Sequence, residues 1–388
     1  MEKNYIGAII SDIHWGAFSG EKLYKELQIF LDYIKDCSIL DFVIIAGDYF
    51  DEKLSLNSTP AFYSLKFFKE LLQICKEKNT KLRMIKGTGS HDVNQLKSLM
   101  SLNINNEVDF KIFEKVEDEY LFDNLHILYI PEEYVDNVDE YYSEYINDDK
   151  LYDLIIYHGL VNDNAFVGLS QESEKTHKKA PIFKTENLLR CTKGCVMAGH
   201  DHTPKIIKDR YYVIGSYSCW AHGEEENKGF YMLNYNPKNA NYTTEFIVNT
   251  KRQRYLSVDI KENSELFKTN DLKESLDYLL TINENMKYDN LRFVINIPED
   301  YKNTDLLVNS IKTTFSRYRD VKVVFKNLNE EKQNNNLEET INLLKKKYWF
   351  LFEKEMPYEE NISRFIKIAY NKDIDIDFVR NTLYNTVK

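Results

Sequence analysis

Gly199-His200-Asp201-His202 follows the apolar run Cys195-Val196-Met197-Ala198 and precedes Pro204. The run reads as a buried strand, and the proline forbids its simple continuation. On extended backbone the side chains at i and i+2 project to one side, so His200 and His202 can serve a single site at the end of that strand. Neutral imidazole is the commonest side-chain ligand of divalent transition metals, and a glycine before the pair lets the backbone come close. Alone, such a pair is more often a polar loop than a metal site. Its meaning depends on what the other strand ends supply.

Four further apolar runs end the same way. Residues 5–11 deliver Asp12 and His14, residues 42–46 end in Gly47-Asp48-Tyr49-Phe50-Asp51, residues 81–85 lead to Gly87-Thr88-Gly89-Ser90-His91-Asp92, and residues 153–157 end in His158-Gly159. Residues 21–35 carry Leu23, Leu27, Phe30, Leu31 and Ile34 at helical spacing, and residues 61–78 form a second amphipathic segment. Strand and helix alternate, with polar residues at the carboxyl ends of strands, where open α/β sheets place their sites. A mixture of carboxylate and imidazole suits Mn, Fe or Zn better than Ca or Mg. One bridging carboxylate can hold two metals about 3.5–4 Å apart, a pair well suited to phosphoryl chemistry.

The chain of 388 residues is long enough for two domains and an appendage. It has no run of 18 apolar residues and no signal peptide at its start, which points to a cytoplasmic protein without a membrane partner. Five cysteines at irregular spacing argue against a disulfide framework, and Cys191 and Cys195 read as structural thiols. The net charge of −11 hides an uneven distribution: residues 114–153 hold fourteen acids against Lys115 and Lys150, a local −12, which leaves the rest of the chain near +1. Whole-chain acidity therefore does not exclude a nucleic-acid partner.

Beyond the third motif the chain reads as short strands over 110–130, with His126 as a core or edge histidine, then a tyrosine-rich acidic surface excursion with a helical portion. Residues 211–214, 229–235 and 243–248 read as antiparallel strands finishing a second sheet. A strand, helix, strand, helix, strand order follows over 255–260, 271–281, 291–297, 305–315 and 321–325, giving a small α/β unit. An Asn-rich linker then leads to a helical stretch whose Leu337, Ile341, Leu344, Tyr348 and Leu351 form an apolar face that suggests docking on a partner. The domains expected are 1–248, 249–328 and 329–388. His177, among Lys175, Lys178 and Lys179, reads as a surface loop or a DNA-facing one, and His222 as structural.

The set Asp12-x-His14, Gly47-Asp48-x-x-Asp51, Gly89-Ser90-His91-Asp92, His158 and Gly199-His200-x-His202 resembles the motifs of the calcineurin-like binuclear metallophosphoesterases over about the first 235 residues. Within them it is similar to the SbcD-type nuclease subunit of double-strand-break repair complexes, in a phage-type variant with serine in place of asparagine. The resemblance implies an α/β fold, a four-layer α-β-β-α core with a small α/β capping domain and a helical C-terminal tail. It implies two Mn ions, one held by Asp12, His14, Asp48 and His202, the other by the shared Asp48, His158 and His200, with Ser90 in the asparagine position. His91 becomes the general acid, and Asp51 the acceptor of a hydrogen bond from it. Ser90 is a poorer donor than an asparagine carbonyl, so the second metal is expected to bind more weakly.

These implications describe a Mn-dependent DNA exonuclease and endonuclease, homodimeric, acting with an SMC-like coiled-coil ATPase held through residues 337–388. A phosphatase or phosphodiesterase of small substrates using the same metals is the alternative within enzymes. An inactive scaffold on the same fold is the alternative outside them.

Overall fold

Strands β1 (Tyr5–Ile10) and β2 (Phe42–Ala46) are apolar throughout, and β3 (Lys81–Ile85) is buried beyond its first residue, because both faces of each are covered. The computed structural model describes residues 3–92, 94–161, 180–224, 226–259, 290–297, 304–315, 320–327, 360 and 363. Side chains alternate along each strand. Ala8, Ile10, Val43 and Ile45 meet helices α1 (Gly20–Asp36) and α2 (Thr59–Lys78), while Ile9, Phe42, Ile44 and Ala46 face a second sheet. In that sheet β7 (Tyr152–His158) and β8 (Thr192–Gly199) turn Leu154, Ile156, Cys195 and Met197 toward the first. Their other face, with Ile155, Tyr157, Val196 and Ala198, packs with Leu188 and Leu189 of a short helix at Thr185–Arg190. The result is four layers, helix on sheet on sheet on helix, as expected.

Both sheets have six strands. The first runs β12-β11-β1-β2-β3-β4, with β4 at Phe110–Phe113, β11 at Gly229–Asn236 and β12 at Asn241–Val248. The second runs β5-β6-β7-β8-β10-β9, with β5 at Glu117–Phe122, β6 at Leu125–Ile130, β9 at Lys205–Ile207 and β10 at Tyr211–Val213. Strands β1 to β4 are mutually parallel, and so are β6, β7, β8 and β10. The expectation that residues 229–248 complete the second sheet is corrected here. β11 pairs antiparallel with β1, Tyr5 opposite Tyr235, and belongs to the first sheet. Phe230 and Met232 on one face, and Tyr231, Leu233 and Tyr235 on the other, enter both cores. That pattern demands an interior strand, but chain order does not say of which sheet.

The described residues fall into two compact units. The first comprises Met1–Ser257, Lys287–Leu291 and Tyr318–Asp320, the second Val258–Met286, Arg292–Arg317 and Val321–Lys388. A separate three-stranded sheet has the order β13-β14-β15, at Tyr255–Asp259, Asn290–Ile297 and Asp320–Asn327. In the second unit Phe293 packs on Phe315 beside the helix Thr304–Thr314, with Ile295, Leu307 and Ile311 buried. The expected helix over 271–281, His177, and all of the 337–388 tail except residues 360 and 363 lie outside the described residues. Among those described, no helix is long and apolar enough to cross a membrane.

Candidate metal centre

Each motif sits where its strand stops. Asp12 and His14 follow β1, Asp48 and Asp51 follow β2, the turn Gly87–Asp92 follows β3, His158 ends β7, and His200 and His202 follow β8. The backbone there departs from strand geometry: Asp12, His14, Asp48 and His200 have φ of 49°, 55°, 46° and 85°. Only a small share of non-glycine residues adopt this left-handed region. The sheets meet closely around these turns. A Cβ on Gly47 would lie 2.1 Å from His158 Nδ1, and one on Gly199 2.0 Å from Ser11 Oγ and 2.5 Å from the Ala46 carbonyl oxygen. Glycine is thus the residue that lets β8 and its histidines approach the end of β2.

The ligand-type atoms converge in three neighbouring groups, Asp12 with His14 and His202, His14 with Asp51 and His91, and Asp48 with His158 and His200. His14 Nε2 and His202 Nε2 are 3.0 Å apart, and His14 Nε2 lies 3.8 Å from oxygens of both Asp12 and Asp48. Asp48 Oδ2 also lies 3.4 Å from His158 Nε2 and 2.9 Å from His91 Nδ1. His158 tests whether a metal fits. Its Nδ1–H donates to the Ala46 carbonyl at 2.8 Å, and its buried Nε2 has no hydrogen-bond partner while facing a carboxylate. With a metal bound, a deprotonated Nε2 would face it across from Asp48; without one, a proton takes that place. The donor set fits a pair of divalent transition metals, with Asp48 shared.

The electrostatics of the metal-free cage agree. Burial disfavours charge on His158 and His14, but neighbouring carboxylates outweigh it, Asp48 first for His158 and Asp12 first for His14, and each imidazole is pushed up to about 10. For Asp48 burial is likewise overcome, by His158 foremost, and its carboxyl is held well below the usual range; Asp12 is lowered too, against burial, by His14 above all. Protons thus supply positive charge that a metal would otherwise bring. His91 is also raised, burial being outweighed by Asp48, and its side chain is 33 % exposed. Its exposure lets it pass a proton toward solvent.

Two expected placements differ. Asp51 Oδ1 lies 3.1 Å from His14 Nδ1, and the carboxylate that faces His91 is Asp48. Asp51 thereby orients a ligand, because holding one ring nitrogen of an imidazole fixes which nitrogen faces the metal. Ser90 is exposed, carried outward by the short turn Gly89–Asp92, and the hydroxyl set against Asp48 is that of Thr88. Thr88 N donates to Asp48 Oδ1 at 2.6 Å, and its Oγ1 lies 3.2 Å from Oδ2.

Three partners fall outside the motifs. Glu132, two residues past β6, places Oε2 3.0 Å from His200 Nδ1. Glu224 Oε1 is 3.5 Å from His202 Nδ1, and the fully buried Lys228 donates to the His202 carbonyl at 2.7 Å and lies 3.3 Å from Glu224. Position after a strand end is the signal that could have singled out Glu132, and Lys228 carries none beyond its place before an apolar strand.

Strand ends of two facing mixed sheets that converge on a shared carboxylate, flanked by imidazoles, define a metal-dependent phosphoester hydrolase. The chain belongs to the calcineurin-like phosphoesterase family, whose pattern it matches over residues 8–239. No curated protein matches it. Among solved structures it is similar to the protein TT1561 of Thermus thermophilus, at 10 % identity and TM-score 0.33, covering 63 % of this chain and 99 % of that one. It is also similar to a cold-active protein-tyrosine phosphatase of a psychrophile Shewanella species, at 12 % identity and TM-score 0.28, covering 62 % and 80 %. Likenesses this distant say nothing about substrate.

Proposed function

We propose that this phosphoesterase is a Mn-dependent DNA nuclease, with exonuclease and endonuclease activity, working as the nuclease subunit of a repair or recombination complex with an SMC-like coiled-coil ATPase. The observation that carries the reading is the α/β unit that follows the phosphoesterase core, with the sheet β13-β14-β15 and the helix Thr304–Thr314. A hydrolase of small esters has no evident use for it, whereas the resemblance to SbcD-type nucleases implies a capping unit after the core. The resemblance of the motif set to SbcD-type nucleases, and the apolar periodicity of the 337–388 tail, support the same reading. Homodimerisation and a cytoplasmic setting belong to this proposal as well.

Asp12, His14, Asp48 and His202 would hold one metal, and Asp48, His158 and His200 the other. When bound, such a pair lowers the pKa of water and neutralises charge on phosphate oxygens. The chain's own groups do the rest. His91, protonated beside Asp48, delivers its proton to the departing oxygen of the phosphodiester as that bond breaks. Asp51 and Glu224 fix the rings of His14 and His202 from behind, and Lys228 holds the backbone of His202. Gly47, Gly87 and Gly199 keep Cβ atoms out of the contact between strand ends.

Incubation of the pure chain and Mn with linear duplex DNA, circular single-stranded DNA, p-nitrophenyl phosphodiesters and cyclic nucleotides tests the reading, with His91→Ala as control. Cleavage of both DNAs, lost in the control, is expected. Turnover of only the small esters would establish the small-substrate alternative, and no turnover of any would favour a scaffold.

A further inference from the structure

His202 is the least enclosed ligand of the first metal position, its side chain 31 % exposed, whereas Asp12 and His14 are buried. Packing alone does not fix such a ring. What surrounds it is the segment between β10 and β11, which none of the five motifs contains. The Ser216 N–H and the Lys228 ammonium both donate to the His202 carbonyl, at 3.2 and 2.7 Å. Glu224 Oε1 faces His202 Nδ1 at 3.5 Å, while its Oε2 accepts from the Trp220 N–H at 3.2 Å and lies 3.3 Å from Lys228 Nζ.

The same segment reaches the other two ligands that belong to this metal position alone. The Tyr217 N–H donates to the Asp12 carbonyl at 3.3 Å, and the Trp220 ring packs edge to face with that of His14, centroids 5.5 Å apart. His158 and His200 take their partners elsewhere, from the Ala46 carbonyl and from Glu132 and Thr88. The segment is itself anchored: the Tyr217 hydroxyl donates to the Glu26 carbonyl of α1 at 2.9 Å, and the Asn249 N–H to the Lys228 carbonyl at 2.7 Å. Lys228 is fully buried, and a desolvated ammonium must keep its acceptors. Glu224 and the His202 carbonyl are thereby drawn to one point, beneath the ring that faces the metal.

We infer that Lys228 is a positioning residue for the first metal position alone. Through Glu224 and the segment from Ser216 to Glu224 it holds the three ligands that this position does not share, and so sets the affinity of one metal independently of the other. The inference rests on the binuclear-metal reading of the centre but not on the identity of its substrate. Lys228 contributes no ligand atom; its effect is on where the ligands stand. The two metals are therefore separately adjustable although they share Asp48.

Titration of the metal-free full chain with Mn alone, following free Mn by electron paramagnetic resonance, tests it. The wild type is expected to bind two Mn, and Lys228→Met to weaken one of them by about 10–100-fold while the other is kept. Two backgrounds say which. In His158→Ala, where the first position remains, adding Lys228→Met should weaken the remaining Mn by the same factor; in His202→Ala, where the second remains, it should change nothing. Glu224→Gln keeps the shape of the bridge and loses its charge, so it carries the same comparison if Lys228→Met does not fold. Equal weakening in both backgrounds would make Lys228 a general support of the fold, and no weakening in either would make it idle; both overturn the inference while leaving the binuclear centre intact. A wild type that binds fewer than two Mn overturns both.

Discussion

Asp51 and His91 are separable by experiment because the structure gives them different partners. Asp51 faces His14 Nδ1 at 3.1 Å, so Asp51→Asn should reduce affinity for the metal that His14 holds by about 10–100-fold, measured by Mn titration. His91→Ala should lower the rate of ester hydrolysis by about 10²–10⁴-fold with Mn stoichiometry unchanged, because a proton donor is lost and no ligand is. A His91→Ala chain that lost a metal would instead make His91 a ligand. Aspartates and histidines after apolar runs were legible in the sequence, since few side chains hold metals and the runs announce strand ends. Glu132 was hidden by company, one acid among the fourteen of residues 114–153. Thr88 was hidden by its neighbour: spacing alone cannot say which hydroxyl of Gly87-Thr88-Gly89-Ser90 the turn points inward.

Among the elements, the two sheets are joined by a buried cation as well as by apolar side chains. Arg83 of β3 donates through Nε to Glu119 of β5 at 2.5 Å and through Nη1 to the Asp109 carbonyl at 2.8 Å. Its side chain is 5 % exposed. Removing it would leave Glu119 short of its counter-charge, so Arg83→Leu should cost about 3–5 kcal/mol of unfolding free energy, read from urea denaturation. No loss would mean that Glu119 relaxes to solvent. Asp109 is partly buried, which opposes charge, but Arg83 and then Lys81 hold its carboxyl below the ordinary 3.8. A carboxyl lowered on folding stabilises the native chain above its unfolded pKa, and that contribution fades as pH falls through the lower folded value. Asp109→Asn should therefore flatten the loss of stability on acidification below about pH 4, followed by thermal unfolding across pH. The helices and strands of the core were legible because burial on both faces makes continuous apolar runs. The sheet that receives β11 was not, because its two-sided apolar pattern fits the interior of either.

At the scale of the molecule, the α/β unit and the 337–388 tail are what the proposed nuclease of an ATPase complex would need. On that proposal, deleting residues 337–388 should abolish a stable complex with a coiled-coil ATPase while the remaining chain still hydrolyses DNA with Mn. Co-purification would report the first outcome and a plasmid digest the second; an intact complex would refute the tail's role. The left-handed backbone at Asp12, His14, Asp48 and His200 has a bearing on how such a molecule can drift. Glycine, asparagine and aspartate enter that conformation readily, and β-branched residues do so only with strain. Mutational escape at these four positions is thus narrowed twice, by chemistry and by backbone shape. Even lineages that abandoned metal binding would find few replacements there that keep the strand ends in place.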